Sequence, residues 1–410
     1  MSQAIAGSAH RIAVVGAGIV GSCIALELRK RGAEVTLIDR DEPGHGCSYG
    51  NSGAISPASV APLAMPGLLS SLPGMLFDRE SPLFLRLRYL PKALPWLSRF
   101  LLAAEPEAAA RSAARLAALH AGALDRHEAL AAEIGVPELF LRRGHLHLYP
   151  DEQALAKDAA GWRMRELHGF RAERLDRDGI VALEPGVGAR YKVGMFLSDH
   201  ATIRNPLRYV QAVVRAFSTH GGQLYRAAVR AIVPQGGNRW HVDSADGELL
   251  PAFDHVVVAA GAWSRSLLDP LGLRVHLESQ RGYHVQFEGA QGLVSRTVVL
   301  ADRKVFVTPM EEGLRAGGTV EIAGLSLPPD MRRAAALERV VRETFDGLVG
   351  VSTTRWMGHR PCMPDSVPVI GPADGYRGLW LAVGHGHLGL TDSVTTAQRI
   401  ADRLLDGAAG

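Results

Sequence analysis

The sequence predicts an α/β fold joined to a second, α+β domain. Three observations carry that reading. A strand, a glycine turn, a helix and another strand succeed one another between Arg11 and Asp39. A glycine turn of the same form recurs at Gly384–Gly389, again between an apolar run and a helical one. The chain between them holds short alternating segments that read as a separate sheet.

Arg11–Val15 reads as a short buried strand. Gly16-Ala17-Gly18-Ile19-Val20-Gly21 follows as G-x-G-x-x-G. Ser22–Arg31 reads as a helix, with Ile24, Leu26 and Leu28 apolar and Glu27, Arg29, Lys30 and Arg31 charged. Glu34–Ile38 is the next strand and ends at Asp39. This is a Rossmann-like dinucleotide fingerprint. Gly16 permits the turn, Gly18 admits a pyrophosphate to the backbone, and Gly21 lets helix and strand pack closely. The helix N-terminus offers N–H groups and partial positive charge to the phosphates. Asp39, 18 residues after Gly21, is placed to accept from a ribose 2′-hydroxyl. An acid there disfavours NADP and leaves FAD and NAD both open.

The second turn is read the same way. Gly378–Val383 is a strand, Gly384-His385-Gly386-His387-Leu388-Gly389 the turn, and Leu390–Leu405 a helix with Val394, Ala397, Ile400, Ala401 and Leu404 on one face. About twenty residues follow Gly389, too few for a further strand and ribose-binding acid. It is therefore not a second dinucleotide fold. A helix N-terminus also attracts the negative charge that a reduced flavin carries on its pyrimidine end. One cofactor spanning both turns favours FAD over NAD and predicts that the two turns meet in one domain.

Composition bounds the rest. A length of 410 residues suggests two or three domains. A hydrophobic fraction of 47% and a charged fraction of 21% argue for a globular chain without long disorder. The formal charge is only +3, with no block of like charges, too weak a balance to suggest a nucleic-acid partner, and none is expected. Cys23, Cys47 and Cys362 form neither a disulfide framework nor a zinc spacing and fit a reducing, cytoplasmic setting. The first ten residues lack the pattern of a signal peptide, and no apolar run reaches the ~18 residues of a membrane span.

Five blocks in order then carry a family resemblance. They are Ile12–Gly21 with Asp39-Arg40, Cys47–Pro57, Val256–Ser264, Gly358–Gly371 and Gly384–Thr391. Over nearly its whole length the chain resembles the FAD-dependent D-amino-acid dehydrogenase group of the D-amino-acid oxidase and glycine oxidase superfamily. The resemblance implies a Rossmann-like FAD-binding domain, discontinuous over 1–80, 195–265 and 355–410. A mixed-sheet substrate-binding domain would comprise 81–194 and 266–354.

It also implies roles. Gly16, Gly18, Ile19, Val20, Gly21, Asp39 and Arg40 would hold the adenosine diphosphate. Cys47, Ser48, Asn51, Gly53 and Ala54 would follow the inner side of the flavin. Val229 would contact the adenine, and Gly261 and Trp263 would lie under the pyrophosphate. His385, Gly386, His387, Leu388, Gly389 and Thr391 would reach the flavin pyrimidine. Arg360 matches the arginine that clamps the substrate carboxylate, and a guanidinium fork suits that task. Tyr283 would hydrogen-bond the same carboxylate and His284 would sit near the amine. His45 does not fall where covalent-flavin relatives attach the cofactor, so FAD is expected to be non-covalent. His145 and His147 share a strand face but lack a third ligand nearby, and no metal is expected.

The activity implied is oxidation of a D-amino acid by hydride transfer from Cα to FAD, giving an imine and then a 2-oxo acid and ammonia. The kinked, apolar 81–104 segment resembles branches that take cyclic substrates such as D-proline or hydroxy-D-proline. That segment also carries Arg86, Arg88, Lys92 and Arg99 with no acid, among Phe84, Tyr89, Trp96 and Phe100. Such a pattern suits peripheral contact with an anionic membrane, a pocket lid, or a buried helix broken by Pro91 and Pro95. A dehydrogenase of this group would pass electrons to a quinone of the respiratory chain, an oxidase to oxygen. Elsewhere, Glu105–Ile134 and Met331–Val349 read as helices, and His145–Tyr149, Tyr283–Phe287, Thr297–Leu300 and Lys304–Thr308 as strands. Two rival functions share these features: a sarcosine- or glycine-type amine oxidase, and a non-catalytic flavin-binding subunit of a larger dehydrogenase complex.

Overall fold

Arg11–Val15, Ile19–Lys30 and Glu34–Asp39 form the expected strand, helix and strand. They belong to a computed structural model that describes residues 10–67, 83–236, 239–247 and 250–405. The two strands sit inside a six-stranded sheet. Its order is Gln223–Arg226, Glu34–Asp39, Arg11–Val15, His255–Val258, Leu379–Val383 and Val369–Pro372. All neighbours pair in parallel except the last two, which are antiparallel. Both faces of this sheet are covered, which explains why its inner strands Arg11–Val15, His255–Val258 and Leu379–Val383 are almost continuously apolar. The helix Gly389–Leu405 packs on Ile19–Lys30 over a shared core that includes Ile24, Leu28, Ile400 and Leu404. The two glycine turns thus lie close together at the carboxyl ends of two inner strands, with Val20 Cγ2 3.6 Å from where a Cβ of Gly389 would stand.

A second, nine-stranded mixed sheet lies in the middle of the chain. Its order is Thr353–Cys362, Glu278–Glu288, Gly313–Ile322, Val305–Pro309, Thr297–Leu300, His145–Tyr149, Val193–Leu197 and Glu173–Leu175, with Leu83–Leu85 paired alongside Gly313–Ile322. Boundaries expected at 195 and 355 fall inside two of these strands. Val193–Leu197 pairs with His145–Tyr149, and Thr353–Cys362 pairs along its length with Glu278–Glu288. The chain changes sheets after those strands, because each is hydrogen-bonded from end to end.

Gly282 and Tyr283 mark a bulge: Gly282 pairs with Val320 and Tyr283 with Gly318, leaving Thr319 as the extra residue. Thr319 has φ 52°, a left-handed backbone that a β-branched side chain rarely adopts.

The helical expectations need adjustment in two places. The stretch 105–134 is two helices, Pro106–His120 and Ala123–Glu133, parted at Gly122 with φ 69°. The later helix runs over Arg332–Thr344. In the 81–104 segment, Ser81 and Pro82 lie outside the described residues. The rest is the strand Leu83–Leu85, a short turn of helix, and the helix Leu90–Ala103 with Pro95 inside it. Ala93, Trp96, Phe100 and Ala103 are buried against Leu85, Ile322 and Cys362, while Leu87, Leu94 and Leu102 are exposed.

Candidate active site

A cavity of about 870 Å³ is lined by both glycine turns and by strands of the nine-stranded sheet. Gly16, Gly18, Ile19, Val20, Asp39 and Arg40 line it from the first unit. Cys47, Ser48, Asn51 and Ala54 line it from the following loop, and Val229, Gly261 and Trp263 from the middle of the chain. His385, Gly386, His387, Leu388 and Gly389 close it from the second turn. Residues almost 370 positions apart therefore share one wall, as Gly18 and Gly386 do.

The first turn is braced from outside. Asp39 accepts the Ala17 N–H at 2.6 Å, and Ser48 Oγ accepts the Ile19 N–H at 2.9 Å. Arg40 stacks its guanidinium over Trp263, 4.2 Å from the ring centre. The backbone at Gly18 is open: a Cβ there would meet only Ser48 Oγ, at 3.4 Å. At Gly261, φ is +55° and a Cβ would meet nothing within 4 Å. An elongated dinucleotide fits this channel, with N–H donors at the turn and no acid in the first turn of the helix behind it.

Gly21, Gly53, Thr391 and His284 stand behind the wall. A Cβ at Gly21 would lie 1.9 Å from the Gly16 carbonyl oxygen, and one at Gly53 2.2 Å from that of Ile203. These glycines make room for protein, not for a ligand. Thr391 Oγ1 accepts the Ser56 N–H at 3.1 Å and so ties the flavin-side loop to the C-terminal helix.

Arg360 lines the cavity and as a residue is partly buried. Its Nη1 donates to the Thr319 carbonyl at 3.1 Å, and it has no ion pair among the described residues. Burial draws its pKa down from the ordinary arginine value. Cys47 is no counter-ion, because burial pushes its thiol up to about 11. Gly282 leaves the space that the guanidinium fills: a Cβ there would be 2.2 Å from Arg360 Cζ. A cation held on one backbone carbonyl, with its other N–H groups free, is a receptor for an anion.

Tyr283 lines the cavity, but its hydroxyl is already committed to protein partners. That hydroxyl donates to Glu321 at 2.6 Å and accepts the Asp330 N–H at 3.0 Å. Strand alternation gives the reason: Tyr283 shares a face with Val285 and Phe287, in the core of the second domain. His284 faces the other way, but its Nδ1 lies 3.1 Å from the Gly50 carbonyl and its ring stacks on Trp356 at 5.0 Å. Burial lowers it to about 3, so it is a neutral donor that holds the Gly50 loop. His385 bonds Thr396 Oγ1 at 3.0 Å, and burial lowers it to about 4. His387 is likewise lowered to about 4, by enclosure and by the charge of Arg360.

Several wall residues carry no sequence motif. Trp356 lies over Gly358 and under Gly50, so that a Cβ at either would fall within 2.0 Å of its indole. Thr319 and Gln280 line the cavity beside Arg360. The signal that could have found them is the small residue opposite each: Gly50, Gly282 and Gly358 all face a large side chain.

A family model described as "DAO: FAD dependent oxidoreductase" matches residues 11–403. The chain belongs to this family. An enzyme curated as "D-amino-acid oxidase" from Bradyrhizobium diazoefficiens is 40% identical over 405 residues, covering 97% of this chain and 95% of its own. "D-amino acid dehydrogenase 2" from Ralstonia nicotianae is 35% identical, covering 96% of each chain. Among solved structures, glycine oxidase from Geobacillus kaustophilus superposes with a TM-score of 0.73 at 20% identity, covering 97% of this chain and 95% of its own. L-proline dehydrogenase from P. horikoshii gives 0.73 at 16%, covering 97% and 94%. These two share the fold of this chain. The protein is an FAD-dependent oxidoreductase, and the braced glycine turn is the feature of its own structure that fits that cofactor.

Proposed function

We propose that this protein oxidises a free D-amino acid, with Arg360 as the receptor for the substrate carboxylate. The observation that carries the reading is the unpaired guanidinium of Arg360 in the same cavity as both glycine turns. The names of the curated relatives support the choice of D-amino acids. FAD, held without a covalent bond by the residues around Gly18, Asp39, Ser48 and Gly386, supplies the two-electron acceptor.

The chain's own residues do the rest. Thr319 and Gly282 fix the guanidinium, which orients the carboxylate and hence Cα. The substrate amine must be neutral to react. A low-dielectric cavity beside a cation disfavours the ammonium form, so no protein base is required at Tyr283 or His284. The Leu63, Met65, Leu83 and Phe100 side of the cavity excludes water from the reacting carbon. The imine product then takes up water to give a 2-oxo acid and ammonia, or stays cyclic when the substrate is D-proline or hydroxy-D-proline.

A membrane quinone is the proposed electron acceptor. The exposed Leu87, Leu94 and Leu102, next to Arg88, Lys92 and Arg99, support peripheral contact with an anionic bilayer. No helix among the described residues is long and apolar enough to cross a membrane.

The test is an anaerobic screen of D-alanine, D-proline, hydroxy-D-proline, sarcosine and glycine, read by loss of flavin absorbance. Reoxidation by oxygen is then compared with reoxidation by a quinone analogue. Flavin that stays oxidised with every D-amino acid defeats the proposal, and bleaching by sarcosine or glycine alone would favour the amine-oxidase alternative.

A further inference from the structure

The cavity contains a second group of cations that the carboxylate clamp does not use. Lys157, Arg165 and Lys304 line it, with Asp158 beside them. Asp158 is already committed: it accepts the Tyr149 hydroxyl at 3.1 Å and Lys304 Nζ at 3.1 Å. Three cations against one carboxylate leave a local charge of 3 − 1 = +2.

Arg165 is the member with capacity to spare. Its guanidinium carbon lies 4.7 Å from the centre of the Trp162 ring. Trp162 is itself buried and packs edge-on to His147 at 5.3 Å. The stack holds the guanidinium by its face and leaves its N–H edge free, and no hydrogen bond or ion pair from it occurs among the described residues. An oriented, desolvated guanidinium with open donors binds a carboxylate far better than a solvated surface arginine does. His147 adds no charge of its own, because burial and the neighbouring charges of Arg165 and Lys304 keep it neutral.

The backbone links the two cationic centres. Thr319 O holds Arg360, and Gly318 precedes it on the same strand. The Lys304 carbonyl lies 3.0 Å from the position of a Gly318 Cβ, and Val305 pairs with Gly318. Lys304 therefore stands one strand over from Thr319, the residue whose carbonyl holds the guanidinium, a strand spacing of about 5 Å.

We infer that Arg165, assisted by Lys304, forms a second carboxylate subsite, and that the preferred substrates are acidic D-amino acids, the amino dicarboxylates. The inference rests on the reading of Arg360 as the α-carboxylate clamp. It distinguishes a charged side chain from the compact cyclic one of D-proline, which leaves the second cluster uncompensated.

The holoenzyme tests it. The ratio of kcat/KM for D-glutamate to that for D-alanine is measured in the wild type, Arg165→Gln and Arg165→Lys. The expected wild-type ratio exceeds one, falls about tenfold in Arg165→Gln and recovers partly in Arg165→Lys, as loss of one charged contact predicts. Glutarate, a dicarboxylate that cannot be oxidised at an amine, is titrated in parallel by its perturbation of the flavin spectrum. Its affinity should fall about tenfold in Arg165→Gln. A wild-type ratio below one, or a ratio and glutarate affinity unmoved by Arg165→Gln, overturns the subsite. If no D-amino acid bleaches the flavin, the proposed function fails instead, and the glutarate titration alone decides the subsite.

Discussion

Gly282 lies directly beneath the guanidinium of Arg360, on the neighbouring strand, where a Cβ would be 2.2 Å from Cζ and 2.3 Å from Nη2. The contact is to a planar, delocalised head held at its far side by Thr319. It cannot give way without leaving that carbonyl. Gly282→Ala should raise KM for the amino acid at least about tenfold while FAD stays bound, because displacing the clamp loses a charge-assisted hydrogen bond worth roughly 1.5–3 kcal/mol. Steady-state kinetics on a variant of unchanged flavin content checks this, and an unaltered KM would show that the guanidinium has another position open to it.

Removing the guanidinium itself should cost more. Arg360→Ala is expected to raise KM by about a hundredfold or more, given the roughly 2–5 kcal/mol of a desolvated charge pair. Arg360→Lys should recover only part, since an ammonium cannot grip a carboxylate bidentately. Comparing a D-amino acid with its decarboxylated amine separates the clamp from general damage. Equal losses on both would contradict the assigned role.

Cofactor retention is predicted to depend on Asp39 for two reasons at once. Its carboxylate fixes the Ala17 N–H at 2.6 Å, and the Asp41 N–H donates to its other oxygen at 3.0 Å. Asp39→Ala should weaken FAD binding by about tenfold to a hundredfold, the scale of one or two lost charge-assisted bonds. Flavin fluorescence on titrating apoprotein with FAD measures it, and affinity equal to the wild type would exclude the acid from the site.

Acid should destabilise the fold through buried histidines. His127 bonds the Tyr209 hydroxyl at 3.0 Å and lies 3.3 Å from the Thr391 carbonyl, and His145 lies 2.9 Å from the Ala201 carbonyl. Burial lowers both from 6.5 to about 4. Between those values the unfolded chain takes up protons that the folded chain refuses. Stability is therefore full above pH 6.5 and falls as the pH drops towards 4. At about 1.4 kcal/mol per pH unit, each histidine contributes at most about 3.5 kcal/mol to that fall. Thermal melts across this window should show the decline, and His127→Gln should shallow it. A melting temperature independent of pH there would contradict it.

The first unit and the second turn were legible because local chemistry dictates them: a glycine turn between an apolar strand and an amphipathic helix has few other forms. Asp39, Arg40, Gly261 and Trp263 could be placed by block order alone. Tyr283 and His284 show where such reading stops. Adjacent strand residues face opposite ways, and which face is core is decided by the strands on either side and by a bulge at Thr319. Nothing local in Glu278–Glu288 reveals either. Arg165 was invisible for the same reason. Its helix, Ala159–Leu167, carries Trp162 one turn before it, but only the sheet brings His147 against that ring. Gly53 was expected beside the flavin, yet there, as at Gly50 and Gly358, the space is filled by protein: a carbonyl at Gly53 and an indole at the other two.

The joining of the two glycine turns has a consequence for biosynthesis. The wall at Gly384–Gly389 is translated long after the one at Gly16–Gly21, and at roughly 5–20 residues per second the delay is on the order of tens of seconds. During that interval the strand Arg11–Val15 lacks the completed sheet beyond His255–Val258, and the nascent turn has only half a binding site. Cofactor capture therefore awaits synthesis of the second turn, and until then the first turn presents only its own part of the wall.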